Sequence, residues 1–253
     1  TLELKHIKQY TNREYLNPDL ETIRRDYLVT EKANGERCLL YIAKDNKIYM
    51  ITRSGKGSQS VKYTGSSLLN HAQTLLDGEY ITIDLRDNTV STFLYFDVYY
   101  YRGKDVRNLS LGYHERQTNT RQNIMLQLDQ AVKGGNDFVS IDKINQFLMY
   151  RKKYLRGDIS NIKNLNPNSS DNDTMIFESC NKLLSRMDKM FGGLLDNGHL
   201  YSYETDGLIF APANLGVGQN FKEDDIGILG KKVWQKVYKW KPPRYNSIDF
   251  YVK

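Results

Sequence analysis

The sequence predicts an α+β fold built on antiparallel sheets, and three observations lead there. β-Prone runs follow one another as neighbouring hairpins, and helical periodicity is inserted only between groups of strands. Strand and helix never alternate as a doubly wound parallel sheet requires. The first hairpin joins residues 37–43 to 47–52 across the turn Lys44-Asp45-Asn46. Strands follow at 78–84 and 90–100 by the same logic. The second of these is too apolar and aromatic for an exposed edge, so its one acid, Asp97, needs an explanation.

Over 113–132 the period changes. Ile124, Leu128 and Val132 recur every four residues with Met125 beside them, as on one helix face, and Gly134-Gly135 stops the pattern. Two more helices are predicted, near 142–154 and near 181–191. Between them residues 156–174 carry few large apolar side chains and many Asn, Ser and Asp, so this stretch reads as a loop or partly disordered insertion. Strand signals resume at 204–211 and 233–240. There is no internal repeat.

The length, 253 residues, suffices for a real core, and the composition is 40% apolar and 26% charged. These are globular values that exclude wholesale disorder, collagen and a disulfide scaffold. No apolar run reaches the roughly 18 residues of a membrane span. Cys38 and Cys180 stand far apart and outside any metal-ligand spacing, which points to a reducing compartment. The chain begins at Thr1 without a signal peptide and reads as a piece of something longer.

The formal charge of +6 is modest, but the basic residues cluster. Arg151-Lys152-Lys153 and Lys231-Lys232 read as solvated faces. The third cluster, Lys236, Lys239 and Lys241, is interleaved with Tyr238 and Trp240, a pattern that suits a phosphate backbone and stacked bases.

Four short segments place charges or glycines inside β-prone surroundings, where they are costly unless used. They are Glu31-Lys32-Ala33-Asn34-Gly35-Glu36-Arg37, Asp77-Gly78-Glu79, Glu204-Thr205-Asp206-Gly207 and Lys239-Trp240-Lys241. Each alone has a plain reading as a turn or a solvated strand face. Arg53-Ser54-Gly55-Lys56-Gly57-Ser58 is also a turn, because it lacks a P-loop's first Gly and has Gly57 where Ser or Thr belongs. His6, His71, His114 and His199 form no close pair and are assigned no metal or catalytic role.

Taken in order, the segments resemble the covalent nucleotidyltransferase superfamily of mRNA capping enzymes and ATP-dependent DNA and RNA ligases. Its Lys-Xaa-Asp-Gly element falls on Lys32 to Gly35 with Arg37 after it, and Asp-Gly-Glu falls on Asp77 to Glu79. The aromatic-Phe-Asp strand is Tyr95-Phe96-Asp97, Asp-Gly-Leu-Ile runs from Asp206 to Ile209, and Lys-Xaa-Lys is Lys239 and Lys241. Lys239-Trp240-Lys241-Pro242-Pro243, with Ser247-Ile248-Asp249-Phe250 beyond, is similar to the capping guanylyltransferases, where the chain leaves for an OB domain. One position departs from the pattern: Asn34 stands where Asp is usual.

The resemblance implies the nucleotidyltransferase (ATP-grasp-like) fold over 1–241, with 242–253 as the exit toward the OB domain. It implies GTP as substrate, Lys32 as the nucleophile that takes up GMP, and a 5′-diphosphate RNA end as acceptor, with Mg²⁺ or Mn²⁺ as cofactor. Glu79 and Asp206 would hold ribose or the divalent ion, with Asp97 a weaker third. Phe96 would stack on guanine, Arg37 and Arg53 would contact ribose or phosphates, and Lys182 would contact guanine. Lys239 and Lys241 would supply positive field. It further implies triphosphatase and methyltransferase modules in a full-length chain. The setting would be intracellular and not membrane-bound, cytoplasmic in a viral factory or virion for a large DNA virus and nuclear otherwise. Two alternatives stay open: the adenylation domain of an ATP-dependent ligase, and a catalytically silent binding module, for which Asn34 is the hint.

Overall fold

A computed structural model describes residues 2–8, 11–15, 22–53, 59–85, 87–141, 146–156, 176–184, 203–219 and 234–243. In chain order its elements are α1 (Leu4–Ile7), α2 (Asn12–Tyr15), β1 (Tyr27–Ala33), β2 (Glu36–Ile42), β3 (Lys47–Arg53), β4 (Gln59–Leu68), β5 (Thr74–Ile83), β6 (Thr89–Tyr101), β7 (Lys104–Asp105), α3 (Arg121–Gly134), β8 (Phe138–Ser140), β9 (Leu148–Arg151), β10 (Thr205–Pro212) and β11 (Tyr238–Trp240). Residues 176–184 are also helical.

The strands form two sheets. A large one runs β7-β6-β5-β2-β3-β4-β8, with β9 added beside β6, and a small one runs β1-β10-β11. All ladders are antiparallel except β6–β9. The expected α+β architecture with antiparallel sheets is therefore present, with that single parallel pair as the exception. None of the described helices is long and apolar enough to cross a membrane.

Period-two alternation sends Cys38, Leu40 and Ile42 of β2 to one face of the large sheet, with Ile48 and Met50 opposite them. They meet Met125 and Leu128 of α3, both fully buried, and each such side chain contributes about 1.5–3 kcal/mol by leaving water. Leu28 of β1 and Ala211 of β10 enter the same core, so the small sheet packs on the large one. Its other face packs Tyr27, Val29, Leu208, Phe210 and Tyr238 against Ile176, Cys180 and Leu183 of the helical run.

The hairpin at Lys44-Asp45-Asn46 forms as expected, with Asn46 in the left-handed region (φ 65°). Helix α3 keeps its expected apolar face and ends on a left-handed Gly135, but it starts at Arg121 rather than 113. Thr120 is the reason: its hydroxyl accepts the Asn123 N–H and caps the first turn. The helix predicted near 142–154 is contradicted over 148–151, which is strand β9. There Phe147 and Met149 point inward and Tyr150 outward, and β6 supplies the ladder. The third predicted helix is seen over 176–184, and 185–191 lies outside the described residues, as do 157–174 of the polar insertion. The last strand is confined to Tyr238–Trp240, since 234–237 are not extended and 233 lies outside the described residues.

β1, β4, β7 and β8 fall outside the strands expected from the sequence. β1 is buried on both faces, and its apolar run gives way to Glu31 and Lys32, so no alternation marks it. Beyond β9 the chain turns from one sheet to the other. Lys152 N–H donates to Tyr95 O (2.9 Å), and Val29 and Leu155 exchange backbone hydrogen bonds of 2.9 and 2.8 Å. Residues 148–155 are thus the seam between the sheets.

Candidate active site

Lys32 lies near the end of β1, and its neighbour in the small sheet is β10. The register there steps from Lys32↔Gly207 to Ala33↔Thr205, which leaves Asp206 as the extra residue of a β-bulge. Bulges re-aim side chains. Here the bulge sends the Asp206 carboxylate to Lys32, with Nζ to Oδ1 at 2.7 Å. The other oxygen, Oδ2, pairs with Lys241 Nζ at 2.6 Å, from just beyond β11. The side chains of Lys32, Asp206 and Lys241 are 18%, 9% and 36% exposed, so the cluster is half open to solvent. Gly207 permits the arrangement: its φ is 154°, and a Cβ there would overlap the Trp240 carbonyl oxygen.

The large sheet contributes the opposite wall. Arg37 and Glu79 are paired residues on β2 and β5. Arg37 grips Asp77 through Nε and Nη2, and Tyr99 donates its hydroxyl to the same carboxylate. Burial pushes the Asp77 carboxyl up to about 6, and Arg37 and Tyr99 hold it from rising further. The Glu79 carboxylate accepts no hydrogen bond from the described residues. Burial raises its pKa, while the positive charges of Lys152, Lys32, Arg37 and Lys239 draw it back down. Those four cations come from β9's end, β1, β2 and β11, so Glu79 marks where both sheets face one another.

Phe96 sits among these groups, with the Arg37 guanidinium 4.9 Å and the Lys152 ammonium 5.5 Å from its ring centre. Lys239 is exposed on β11 opposite Ile209. Arg53 ends β3, one position beyond the Cys38↔Thr52 pair and so at the same end of the sheet as Arg37. Lys182 is exposed on the helical run 176–184, whose buried side covers the far face of the small sheet.

Two expectations change. Asp97 is not available as a third ligand: it pairs with Arg121 at 2.7 Å, a guanidinium 1% exposed that also donates to Leu109 O and Leu215 O. That pairing explains an acid inside an apolar strand. In the basic cluster 151–153 only Lys153 is on a solvated face. Arg151 is 3% exposed and pairs with Glu115 at 2.5 Å, and Lys152 is 2% exposed.

Lys152 is the residue that sequence reasoning missed. Its ammonium donates to Glu31 O at 2.5 Å and lies 3.4 Å from Glu31 Oε1. Thr30 and Tyr203 donate hydroxyls to the same carboxylate at 2.8 and 3.0 Å. The only advance signal was Glu31 itself, an acid in a run with no solvated face.

Among the described residues no three His, Cys, Asp or Glu side chains converge as a metal cage. Both Asp206 oxygens are held by lysines, so Glu79 is the carboxylate that fits a divalent ion. Mg²⁺ commonly takes one or two protein carboxylates and completes its shell with phosphate oxygens and water.

Sequence comparison decides the family. The mRNA capping enzyme catalytic-domain family matches residues 17–189, most of the chain. The chain belongs to that family. It is also 28% identical over 250 residues to the probable mRNA-capping enzyme of Acanthamoeba polyphaga mimivirus, covering 94% of this chain and 20% of that protein. The capping-enzyme domain therefore spans about a fifth of that relative's length. Among solved structures it is similar to the ligase domain of M. tuberculosis LigD (13% identity, TM-score 0.40, 75% of this chain and 48% of that one). It is similar also to Pmar-Lig_PreS3 (12% identity, TM-score 0.41, 87% and 43%). The assignment rests on the sequence match.

Proposed function

We propose that this capping-enzyme domain is a GTP-dependent RNA guanylyltransferase working through a covalent lysyl-GMP. The observation that carries the reading is the bulge that aims Asp206 at Lys32, with Lys241 on the other oxygen of that carboxylate, opposite a Glu79 carboxylate that accepts no hydrogen bond from the described residues.

In the first step Lys32 Nζ attacks the α-phosphorus of GTP. A P–N bond forms, the α–β P–O bond breaks, and pyrophosphate leaves with its electron pair. An amine tied as an ammonium to Asp206 has to leave that partner and give a proton to solvent water before it attacks, and Lys241 remains as counter-ion to Asp206. Arg37, Lys239 and Lys241 offset charge that builds on the phosphates, with Arg53 at the same end of the large sheet. Phe96 is the candidate platform for guanine, its ring already approached by Arg37 and Lys152, and Lys182 remains a further candidate base contact. Glu79 would hold Mg²⁺ or Mn²⁺, and a bound ion would supply charge neutralisation at the phosphates. In the second step an oxygen of a 5′-diphosphate RNA end attacks the same phosphorus. The P–N bond breaks, and Lys32 is restored.

The test is incubation with α-labelled GTP and Mg²⁺, followed by denaturation. The reading requires an acid-labile adduct that Lys32→Ala reduces at least ~10³-fold. A label that survives Lys32→Ala, or no label at all, refutes it, and labelling by ATP in preference to GTP selects the ligase reading. In the longer protein we place the domain beside an OB domain and triphosphatase and methyltransferase modules, in the cytoplasm of a cell infected by a large DNA virus.

A further inference from the structure

The departure at Asn34 has a partner. Asn34 Nδ2 donates to Glu204 Oε2 at 2.9 Å, and Asn34 N–H donates to Glu204 O, also at 2.9 Å. Asn34 is two residues after Lys32, and Glu204 is two residues before Asp206. The double contact therefore closes the ladder on the far side of the bulge that aims Asp206 at Lys32. On the near side the bulge is held by the continuous pairing from Lys32↔Gly207 back to Tyr27↔Pro212. On the far side, among the described residues, it is held by Ala33↔Thr205 and this clasp. Gly35 then fixes the turn to the other sheet, because a Cβ there would lie 2.6 Å from Tyr80 O and 2.9 Å from Glu79 Cγ. One turn thus sets Lys32, Asp206 and Glu79 relative to each other.

The surroundings explain an amide at this place. Asn34 and Glu204 line an open cavity of about 550 Å³ with Glu36, Asp84, Asp87 and Tyr80, and among the described residues its charged lining is entirely acidic. A carboxylate at position 34 would sit at hydrogen-bond distance from Glu204, unable to donate to it, within that acidic lining.

We propose that Asn34 is a positioning residue for lysyl-GMP formation: its side-chain amide clasps Glu204 and so holds the bulged Asp206 against Lys32. The proposal rests on the guanylyltransferase reading. It also turns the departure from the usual Asp into a matched pair, Asn34 with Glu204, instead of a sign of lost activity.

The experiment is a double-mutant cycle on the whole chain with Asn34→Asp, Glu204→Gln and the two combined. It reads both adduct formation at saturating GTP and thermal unfolding. Asn34→Asp is expected to slow the adduct step about tenfold with little change in apparent GTP affinity, because a small misplacement costs rate more than binding. The deficit relative to wild type should narrow as salt is raised, since the repulsion is between exposed carboxylates. Glu204→Gln alone should cost about threefold. The combined variant should return to within about threefold of wild type, since the amide introduced at position 204 can donate to the carboxylate introduced at position 34. Asn34→Asp as fast as wild type, or no rescue by Glu204→Gln, overturns the clasp while wild type still labels. No adduct from wild type overturns the guanylyltransferase reading and with it Asn34's role in that step, whereas coupling between the two positions in unfolding would still establish the contact.

Discussion

Two neighbouring lysine clusters on β1 use charge in opposite ways. Lys32, with Asp206 and Lys241, is half open, and every member keeps contact with water. One residue earlier Glu31 points to the other side of the strand, where it and Lys152 are each 2% exposed, with Thr30 and Tyr203 completing the shell. The open cluster can exchange partners for a substrate. The closed one cannot lose a member without stranding a charge, so it serves to lock the seam between the sheets. Exposure separates the two roles, because pairing alone is common to both.

Lys152→Met gives the largest expected effect on stability. Leaving Glu31 buried without its cation should cost about 3–5 kcal/mol in urea unfolding. Adding Glu31→Gln, which removes the charge, keeps one acceptor oxygen for Tyr203 and turns an amide N–H toward the Thr30 hydroxyl, should recover at least about 2 kcal/mol. If Lys152→Met is silent, the pair is not a lock.

The next effect concerns Asp77, which is also 2% exposed. Its carboxyl is pushed up to about 6 in the fold against an ordinary 3.8. Between those values the native state keeps a proton that the unfolded chain has lost. The associated stability is complete below 3.8, falls as pH rises, and is gone above about 6. Wild type should lose ~2–3 kcal/mol relative to Asp77→Asn across that window. Parallel unfolding curves of the two proteins at each pH would remove Asp77 from the closed class.

Tyr203→Phe should cost about 1–2 kcal/mol, one hydrogen bond to a buried carboxylate. Lys32→Met should be the mildest, within about 1 kcal/mol, because Asp206 retains Lys241 as its ion-pair partner. The same substitution removes the adduct in the proposed reaction, so stability and activity should separate at Lys32 and move together at Lys152.

Local signals made much of this legible. The hairpin at Lys44-Asp45-Asn46, the apolar stripe of α3 and the order of the charged motifs all follow from residues close in sequence. What escaped depends on partners far away. Phe147 and Met149 alternate as a strand only because β6 lies alongside. Arg121 is 24 residues from the Asp97 it neutralises, and Lys152 is 121 from Glu31. Even the matched lysine motif says nothing of the Glu204 that its Asn34 contacts.

The order of residues along the chain specifies which chemical groups exist and how they are spaced: a lysine in a Lys-Xaa-Asn-Gly turn, acids before two glycines, and two lysines flanking a tryptophan. Which of them meet is set by how the two sheets pack. Whether a lysine is a solvated surface charge, a half-open ion pair or a buried lock depends on desolvation and on the cross-strand register. A one-residue bulge at Asp206 settles that register for Lys32, and the seam from β9 to β1 settles it for Lys152.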